Sequence, residues 1–233
     1  MRIAIIIPVL EEAALIAGSL ARLQRMRQAG HELIVVDGGS RDGTPDLARP
    51  LADRVITAAH GRARQMNAGA EAARSDVLLF LHADIRLSQD AAEQIATATA
   101  NGALWGRFDV RLCGDGKLLR IVAQCMNWRS RLTGIATGDQ AVFVRRDVFK
   151  HAGGYPDIPL MEDIAMSKLL RKQHFPARLV GPAWVSSRRW QRNGVLRTIL
   201  LMWYLRLAYF LGADTRRLAA RYGNGPRQER IDG

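Results

Sequence analysis

Acidic and imidazole side chains follow the apolar runs in the first hundred residues of the chain. The run RIAIIIPV leads into Glu12, the run HELIVVD ends in Asp37, and the run DVLLFLH ends in His82, two residues before Asp84. Carboxylates at such positions can bind the N–H and hydroxyl groups of a nucleoside, and a carboxylate such as that of Asp84 can hold a divalent metal that bridges a diphosphate. Each acid alone is also consistent with a simple helix cap or turn.

A basic segment, GRARQMNAG, follows the third run and carries Arg62 and Arg64. Guanidinium groups bind phosphate oxygens through paired hydrogen bonds, so these arginines can neutralise a diphosphate. Ligands of open parallel sheets bind where the strands reach their carboxyl ends. Because all these segments would fall at that one edge, their joint placement favours a ligand site over unrelated caps and a solvated basic face.

The elements that would position these side chains alternate between strand and helix. Apolar β-branched runs predict strands, and apolar residues spaced three or four apart predict helices. Thr44 before Pro45 is typical of a helix N-cap, and Ser88 is expected to cap a helix that reaches Ala100. This order predicts a mainly parallel sheet with helices on both faces. The predicted strands are 2–9, 31–37, 54–57 and 76–82, and the predicted helices are 13–27, 62–74 and those beginning at 44 and 88.

The second half of the chain is less regular. Strands are predicted over 104–112, 140–145 and 183–187, and helices over 117–128, 161–172 and 195–211. These elements are expected to extend the first sheet into a mixed sheet rather than to form a separate sheet. The expected organisation is one α/β domain over 1–194 and a helical extension over 195–233.

The extension combines apolar and basic residues. It begins with VLRTILLMWYLRLAYFL, in which Arg197 and Arg206 are nine positions apart and so lie on opposite sides of a helix. Buried arginines disfavour a membrane-spanning helix. The segment is therefore expected to pack on the domain, on a second copy of the chain or at a membrane interface. From Arg188 to the end, ten arginines stand against three acids.

The composition limits the class of protein. Hydrophobic residues make up 48% and charged residues 24% of the 233, which excludes a disordered chain. The two cysteines, Cys113 and Cys125, exclude a disulfide framework and a four-cysteine zinc site, and they indicate reduced thiols in a cytoplasmic protein. The net charge of +12 predicts a polyanionic partner, which is nucleic acid, an anionic membrane surface or a phosphorylated ligand.

The sequence resembles the family 2 glycosyltransferases with the GT-A fold in the strings IIIPVLEE, VVDGGSRDGT, GRARQMNAG and LFLHADIRL. The blocks GDQAVFVRR, GGYPDIPLMEDIAMSKLLR and SSRRW resemble a subgroup linked to arsenosugar biosynthesis and associated with radical-SAM and selenium-related domains. The resemblance covers residues 2–222. It implies a Rossmann-like GT-A fold and transfer of a sugar from a nucleoside diphosphate sugar to a hydroxyl acceptor.

The resemblance also implies a donor site. Asp37 matches the acid that hydrogen-bonds the base, and Asp84 matches the last acid of the D-x-D motif, which binds Mn²⁺ or Mg²⁺. His82 stands where that motif has its first acid. The other donor-site positions, beside the nucleoside or near the diphosphate, are Pro8, Leu10, Glu12, Arg62, Arg64 and Asn67.

The implied catalytic residues lie in the second half. Asp163 matches the family's general base, which would accept the proton of the acceptor hydroxyl in a single displacement that inverts the anomeric carbon. Glu162 precedes it, and without the resemblance the pair would be an acidic first helical turn. Arg189 and Trp190 resemble the closing pair of Q-x-x-R-W, near the donor phosphates and the acceptor, with Ser186 where that motif has Gln.

Three other classes of protein agree less well with the sequence. A dinucleotide-dependent oxidoreductase would need G-x-G-x-x-G after the first strand, and a nucleotidyltransferase would need a glycine-rich loop there. A nucleic-acid-binding module would need basic residues interleaved with aromatic ones, a pattern confined to 188–192. The resemblance therefore implies a sugar nucleotide donor and a small-molecule acceptor. The basic and apolar carboxyl-terminal helix leaves a lipid-phosphate acceptor as the alternative, and no nucleic acid is expected. A homodimer or contact with the inner face of the membrane through 195–211 remains open.

Overall fold

The fold is built on one mixed sheet. A computed structural model describes residues 1–114, 116–187, 190 and 194–223. The strands are β1 Ile3–Val9, β2 Glu32–Asp37, β3 Arg54–Thr57, β4 Val77–Phe80, β5 Ile85–Arg86, β6 Trp105–Leu112, β7 Val142–Arg145 and β8 Ala177–Val185. Their order across the sheet is β3-β2-β1-β4-β7-β6-β8-β5. The first four strands run parallel, β7 runs antiparallel to β4 and β6, β8 runs parallel to β6, and β5 runs antiparallel to β8.

Helices cover both faces of the sheet, so the predicted fold class, a mixed α/β sheet, is confirmed. They are α1 Ala13–Gln28, α2 Thr44–Ala48, α3 Arg62–Ala72, α4 Ala91–Ala100, α5 Lys117–Thr133, α6 Arg146–His151, α7 Glu162–Arg171, α8 Val195–Phe210 and α9 Thr215–Gly223. A single 3₁₀ turn, Gly138–Gln140, precedes β7.

The apolar run of β1 divides its side chains between two cores. Ile3, Ile5 and Ile7 face the core formed with α1, α4 and α5, whereas Ala4 and Ile6 face the core formed with α3, α6 and α7. Successive side chains of a strand point to opposite faces, so a strand that lies between two layers of helices has to be apolar throughout. This explains why β1 reads as a continuous apolar run instead of an alternating one.

Helix α3 packs very closely on the sheet. A β-carbon at Gly69 would lie 2.4 Å from a methyl group of Ile6 and 3.0 Å from one of Val36. Only glycine therefore allows α3 to approach β1 and β2 at this distance. The close packing fixes the beginning of α3, which carries Arg62, over the carboxyl ends of both strands.

Several predicted boundaries are wrong for local reasons. The N-cap of α2 is Gly43, with φ of 84°, and Thr44 is the first helical residue. The Thr44 hydroxyl instead accepts a hydrogen bond from the N–H of Glu12 at 2.9 Å, which ties two loops together. The N-cap of α4 is Asp90 rather than Ser88. The carbonyl of Ser88 accepts a hydrogen bond from the N–H of Ala91 in the turn before the helix. Helix α5 continues past 128 to 133, β8 begins at 177 rather than 183, and β5 and α6 were not predicted.

The carboxyl-terminal helices pack beside the beginning of α7. Leu205 of α8 and Leu218 of α9 are buried with Ile135, Met161 and Ile164. In the ranges that the structure describes, no helix combines the length and the hydropathy needed to cross a bilayer. The division into 1–194 and 195–233 stays a prediction, and 224–233 lie outside the described residues.

Candidate active site

Asp37 ends β2 with one of its carboxylate oxygens unpartnered. The residue is 2% exposed, and its Oδ2 accepts hydrogen bonds from the N–H groups of Gly39 at 2.9 Å and Ser40 at 3.0 Å. Its Oδ1 is buried and has no hydrogen-bond partner within the described part of the chain. A buried oxygen of this kind carries a desolvation cost that an incoming N–H or O–H group removes. The position is therefore suited to binding a polar edge of a ligand.

The loops after β1 and β2 are joined to each other by side chains. β1 and β2 end in register, with Val9 opposite Asp37 and Pro8 opposite Val36. The N–H of Arg41 donates to the Glu11 carboxylate at 2.8 Å, and the N–H of Glu11 donates to the Ser40 hydroxyl at 2.9 Å. The predicted positions in the first loop follow Val9 directly: Leu10 is exposed, and Glu12 is the N-cap of α1.

Gln65 lies at the carboxyl ends of β1 and β2, and the sequence prediction missed it. Its side-chain amide donates to the carbonyls of Val9 and Val36, each at 2.8 Å, and so holds the two strand ends together. The same amide lies 3.1 Å from where a β-carbon of Gly38 would stand, so the glycine gives it room. Gln65 stands in the string GRARQMNAG, from which the sequence prediction took only the arginines and Asn67.

Arg62, Arg64 and Asn67 do not point to one place. Arg62 is the first residue of α3, and its side chain reaches solvent although other parts of the chain lie close around it. Burial lowers the pKa of its guanidinium, and the nearby Tyr222 and the carboxylates of Glu162, Asp139 and Asp163 raise it by more, so the net shift is upward. These acids place Arg62 in the predicted site.

Arg64 and Asn67 have structural partners. The Arg64 guanidinium forms an exposed ion pair with Asp157 at 2.9 Å, on the surface. Both halves of the Asn67 amide bind the backbone of Tyr155, one as donor and one as acceptor, each at 2.8 Å. Arg62 therefore lies near the acids that raise its pKa, which are Glu162, Asp139 and Asp163. Asn67 instead holds the loop before α7.

The tip of β4 contacts the loop that binds Asp163. A β-carbon at Gly138 would lie 2.5 Å from Cε1 and 2.8 Å from Nε2 of His82, so the imidazole lies against this glycine. The N–H of Gly138 donates to Oδ2 of Asp163 at 2.9 Å. Asp84 is exposed two residues after His82. His82, Asp84 and Asp163 are therefore brought to one region of the molecule.

A single carboxylate at the strand tip is compatible with a Mn²⁺ or Mg²⁺ site. Among the described residues, no group of three or more His, Cys, Asp or Glu side chains could hold a metal ion. Ions of this type are often bound by one or two carboxylates together with substrate phosphates. Asp84, exposed and without a hydrogen-bond or ion-pair partner in the described chain, fits that donor set.

The acidic pair that begins α7 contains one buried and one partly exposed carboxyl group. Glu162 is 7% exposed. Burial and the charge of Asp163 raise its pKa from 4.5 to about 7, although the charge of Arg62 lowers it in part. Met161, which precedes the pair, has φ of 71°, a left-handed conformation that is strained for a side chain of this kind. Met161 is the N-cap of α7, so both acids stand in the first turn of that helix.

Asp163 keeps lone pairs available for a ligand. Its Oδ1 accepts from the N–H of Ile164 at 2.7 Å, and its Oδ2 accepts from Gly138. Each carboxylate oxygen has two lone pairs, so one on each remains after these bonds. The group can accept the proton of a hydroxyl that approaches from the cleft.

Three charged residues near Asp163 were also missed. Asp139 lies in the 3₁₀ turn, and its charge raises the pKa of Arg62, Arg129 and Arg206. The block GDQAVFVRR contained Asp139, but nothing in the local sequence distinguished Arg129 or Arg206 from the other arginines. Of the predicted R-W pair, Arg189 lies outside the described residues, and Trp190 is half-buried against the core that contains α1 and α5.

The comparisons with known proteins concern the family and the fold of the chain. A family model described as glycosyl transferase family 2 matches residues 4–151. No curated protein matches the chain at a significant level. The mannosyltransferase PcManGT from Pyrobaculum calidifontis, in complex with GDP-Man and Mn²⁺, aligns with a TM-score of 0.65 and 21% identity over 97% of this chain and 66% of that chain.

Two further structures have the same fold. S. aureus TarS 1-349 in complex with UDP-GlcNAc aligns with a TM-score of 0.63 and 17% identity over 81% of this chain and 59% of that chain. Glucosyl-3-phosphoglycerate synthase from Mycobacterium tuberculosis, in complex with Mn²⁺, UDP and glucosyl-3-phosphoglycerate, aligns with a TM-score of 0.59 and 16% identity. The alignment covers 79% of this chain and 70% of that chain. The predicted GT-A-type fold is confirmed, and the chain spans 59–61% of the TarS 1-349 structures.

Proposed function

The chain belongs to glycosyl transferase family 2, and from this premise we propose that it is an enzyme that transfers a sugar from a nucleoside diphosphate sugar to a hydroxyl group. The observation that supports this best is the contact at Gly138, which joins the strand tip of His82 and Asp84 to Asp163. In a single displacement, one sugar has to reach both the group that holds the leaving diphosphate and the general base.

Nucleoside recognition is assigned to the edge formed by β1 and β2. Oδ1 of Asp37 accepts an N–H group of the base, which satisfies the buried oxygen. Pro8, Leu10 and Glu12 lie beside it on the adjoining strand and loop. Both UDP and GDP present N–H groups, so the choice of nucleoside depends on the remaining contacts.

The diphosphate is assigned to Asp84 and Arg62. Mn²⁺ or Mg²⁺ bound at Asp84 with the donor would stabilise the negative charge that the departing diphosphate gains. The Arg62 guanidinium, whose pKa the charges of Glu162, Asp139 and Asp163 raise, binds phosphate oxygens through charge-assisted hydrogen bonds. Two of the similar solved structures contain Mn²⁺ with GDP-Man or with UDP. Contributions from Arg64, Asn67, His82, Arg189 and Trp190 stay predictions.

The chemical step is an inverting displacement with Asp163 as the base. The acceptor oxygen forms a bond to the anomeric carbon while the bond from that carbon to the diphosphate oxygen breaks. The hydroxyl proton passes to a free lone pair of the Asp163 carboxylate, and the bonding electrons leave with the diphosphate. The backbone N–H groups of Gly138 and Ile164 hold the carboxylate in position during this transfer. Glu162 lies buried beside it and adjusts its charge environment.

Product analysis with a panel of sugar nucleotides and Mn²⁺ tests the proposal. The wild-type protein is expected to release nucleoside diphosphate and a sugar whose anomeric configuration is inverted. Asp163→Asn is expected to keep donor affinity, measured by calorimetry, and to lose turnover, because the amide cannot accept the proton.

The control for this variant is Asp147→Asn, which removes an exposed acid paired with Arg145 and should leave turnover unchanged. Release of pyrophosphate would indicate nucleotidyl transfer instead. Full activity of Asp163→Asn would exclude its assigned role, and retention of the anomeric configuration would exclude single displacement.

The acceptor assigned here is a precursor of an arsenosugar. Its support is the resemblance of the LMED and RRW blocks to the subgroup linked to arsenosugar biosynthesis. Transfer to an arsenic-bearing hydroxyl compound, detected by mass spectrometry of the product, is the expected result. Transfer to generic hydroxyl acceptors at the same rate would contradict the assignment.

We propose that the exposed side of α8 binds an anionic membrane surface. Its exposed residues recur every three or four positions and form one stripe: Leu196, Leu200, Trp203, Leu207 and Leu211, exposed by 61–79%. A stripe of this kind enters the interface of a bilayer, and the net charge of +12 favours anionic lipids.

Co-sedimentation with vesicles that contain an anionic lipid tests this assignment. Wild-type protein should sediment with these vesicles and less with neutral ones, whereas Trp203→Ser should remain in the supernatant. Val180→Ser, which removes an exposed apolar residue from β8, is the matched control. Absence of vesicle binding together with a dimeric mass in light scattering would assign the stripe to a second copy of the chain.

A further inference from the structure

Arg129 has two buried guanidinium nitrogens that lack a partner within the described part of the chain. It lies one turn before the end of α5, and its Nε and Nη2 atoms are buried with no hydrogen-bond partner among the residues that the structure describes. An arginine side chain has five N–H donors, and leaving them unpaired in a buried place is costly. Such a group marks a place where an acceptor of hydrogen bonds is expected.

The chain places Arg129 beside the loop that binds Asp163. Helix α5 ends at Thr133, and the chain then passes through Ile135 to Gly138, whose N–H binds Asp163. In the same turn, Oε1 of Gln140 accepts from the N–H of Thr137, and its Nε2 has no partner in the described ranges. This loop therefore offers further unused N–H donors next to the base.

Arg206 approaches the same place from α8. Its neighbour Leu205 is completely buried with Ile135, Met161 and Ile164, which places this part of α8 on the loop before α7. Burial lowers the pKa of Arg206, and Asp163 and Asp139 raise it in part. Burial and the charge of Arg206 lower the pKa of Arg129 to about 10. The carboxylates of Asp163 and Asp139 offset these two positive charges only in part, which favours a further anion beside them.

We infer that Arg129 and Arg206 form a subsite for a phosphate-like anionic group of the acceptor. This inference rests on the proposed transfer from a nucleoside diphosphate sugar, and it adds that the acceptor carries an anionic group, whether or not it also bears arsenic. Asp163 binds the acceptor hydroxyl, and in an in-line displacement the acceptor and the diphosphate lie on opposite sides of the anomeric carbon. The carboxylates that act on both arginines are those of Asp163 and Asp139, so the subsite lies on the acceptor side.

The chemistry of the two arginines defines the group they bind. Two planar guanidinium groups offer paired N–H donors that match the oxygens of a phosphate. A phosphate ester of a small hydroxyl compound and the headgroup of a phospholipid both present this group. The two arginines would bind the phosphate group of either compound, and the turnover experiment below distinguishes the two.

Thermal unfolding with inorganic phosphate as the probe tests the subsite. Phosphate should raise the melting temperature of the wild-type protein, and Arg129→Met and Arg206→Met should each weaken its apparent affinity at least tenfold. Arg131→Met, an exposed arginine on the same helix, is the matched control and should respond like the wild type.

Without phosphate, Arg129→Met should be as stable as the wild type or more stable, because it removes an unpaired buried charge. A large loss of stability would show that Arg129 has a structural role, and equal phosphate affinity would refute the subsite.

Nucleotide titration separates this inference from the proposed function. Arg129→Met and Arg206→Met should bind UDP and GDP in the presence of Mn²⁺ with the affinity of the wild type. A parallel loss of nucleotide and phosphate affinity would place the arginines at the donor diphosphate and overturn the inference while leaving glycosyl transfer intact. Phosphate binding by a wild-type protein that binds no nucleotide would overturn the proposed function and the assignment of the anion to an acceptor, while leaving an anion-binding site at the two arginines.

Turnover with a soluble phosphate ester and with a phosphorylated lipid in vesicles then identifies the source of the anion. Each of the two variants should raise the KM for the accepted substrate by at least tenfold. Equal KM values in variants and wild type for both substrates would contradict the assignment to the acceptor.

Discussion

The buried carboxyl group of Glu162 should make the stability of the protein depend on pH in a definite direction. In the unfolded chain this carboxyl loses its proton near pH 4.5, whereas in the folded chain burial and the charge of Asp163 raise the pKa to about 7. Between these values the unfolded state binds fewer protons than the folded state. The free energy of unfolding should therefore fall as pH rises from 4.5 to about 7 and level off above it.

The size of this effect follows from the two pKa values. The interval from 4.5 to about 7 corresponds to about 3 kcal/mol, since a tenfold change in an equilibrium constant is about 1.4 kcal/mol. Glu162→Gln keeps the shape and cannot ionise. Its stability should match that of the wild type below pH 4.5 and exceed it by up to about 3 kcal/mol above pH 7.

Urea unfolding of both proteins across this pH range measures the effect. Glu71→Gln, which changes an exposed acid of α3, is the control and should follow the wild type. Arg62→Gln should move the upper end of the range to higher pH, because the charge of Arg62 lowers the pKa of Glu162. Parallel stability curves for Glu162→Gln and the wild type would refute the assignment of a raised pKa to this group.

Three further changes test the packing and the donor site. Gly69→Ala should lower the free energy of unfolding by about 1–3 kcal/mol in urea titrations, because its β-carbon would lie 2.4 Å from a side chain of β1, whereas Gly18→Ala in α1 should be neutral or stabilising. Asp37→Asn should weaken nucleotide binding at least tenfold in calorimetry, because an amide can turn a donor towards the base, and the exposed Asp46→Asn should not. Asp84→Ala should retain nucleotide binding but lose its response to Mn²⁺, and an unchanged response would remove Asp84 from the metal site.

The sequence predicted the parallel half of the fold well because local pattern and tertiary environment agree there. β1, β2 and β4 are buried on both faces, so their apolar runs carry an unambiguous signal. The carboxyl ends of parallel strands meet at one edge, so Asp37 could be placed near the other strand ends from connectivity alone. Adding the antiparallel β7 next to β4 does not disturb that edge.

The remaining features depend on contacts between distant parts of the chain. β5 is only two residues long and exists because Ile85 and Arg86 pair with the end of β8. Asn67 could not be recognised as a structural residue before Tyr155 was placed 2.8 Å from its amide. Arg129 and Arg206 are separated by most of the second half of the chain, and they come near each other because Leu205 is buried in one cluster with Ile135, which follows α5.

The polar groups left without partners help to explain how binding and stability are connected in this cleft. Oδ1 of Asp37, which we assign to the nucleoside, and Nε and Nη2 of Arg129, which we assign to the acceptor, are buried without a partner in the described ranges. Each lowers the stability of the free protein, and each is relieved by a different ligand. Because the two groups share no partner, the stabilisation by nucleotide and that by phosphate should add when both are bound. A larger combined effect would mean that one ligand orders the Gly138 loop for the other, since that loop contacts His82 on one side and Asp163 on the other.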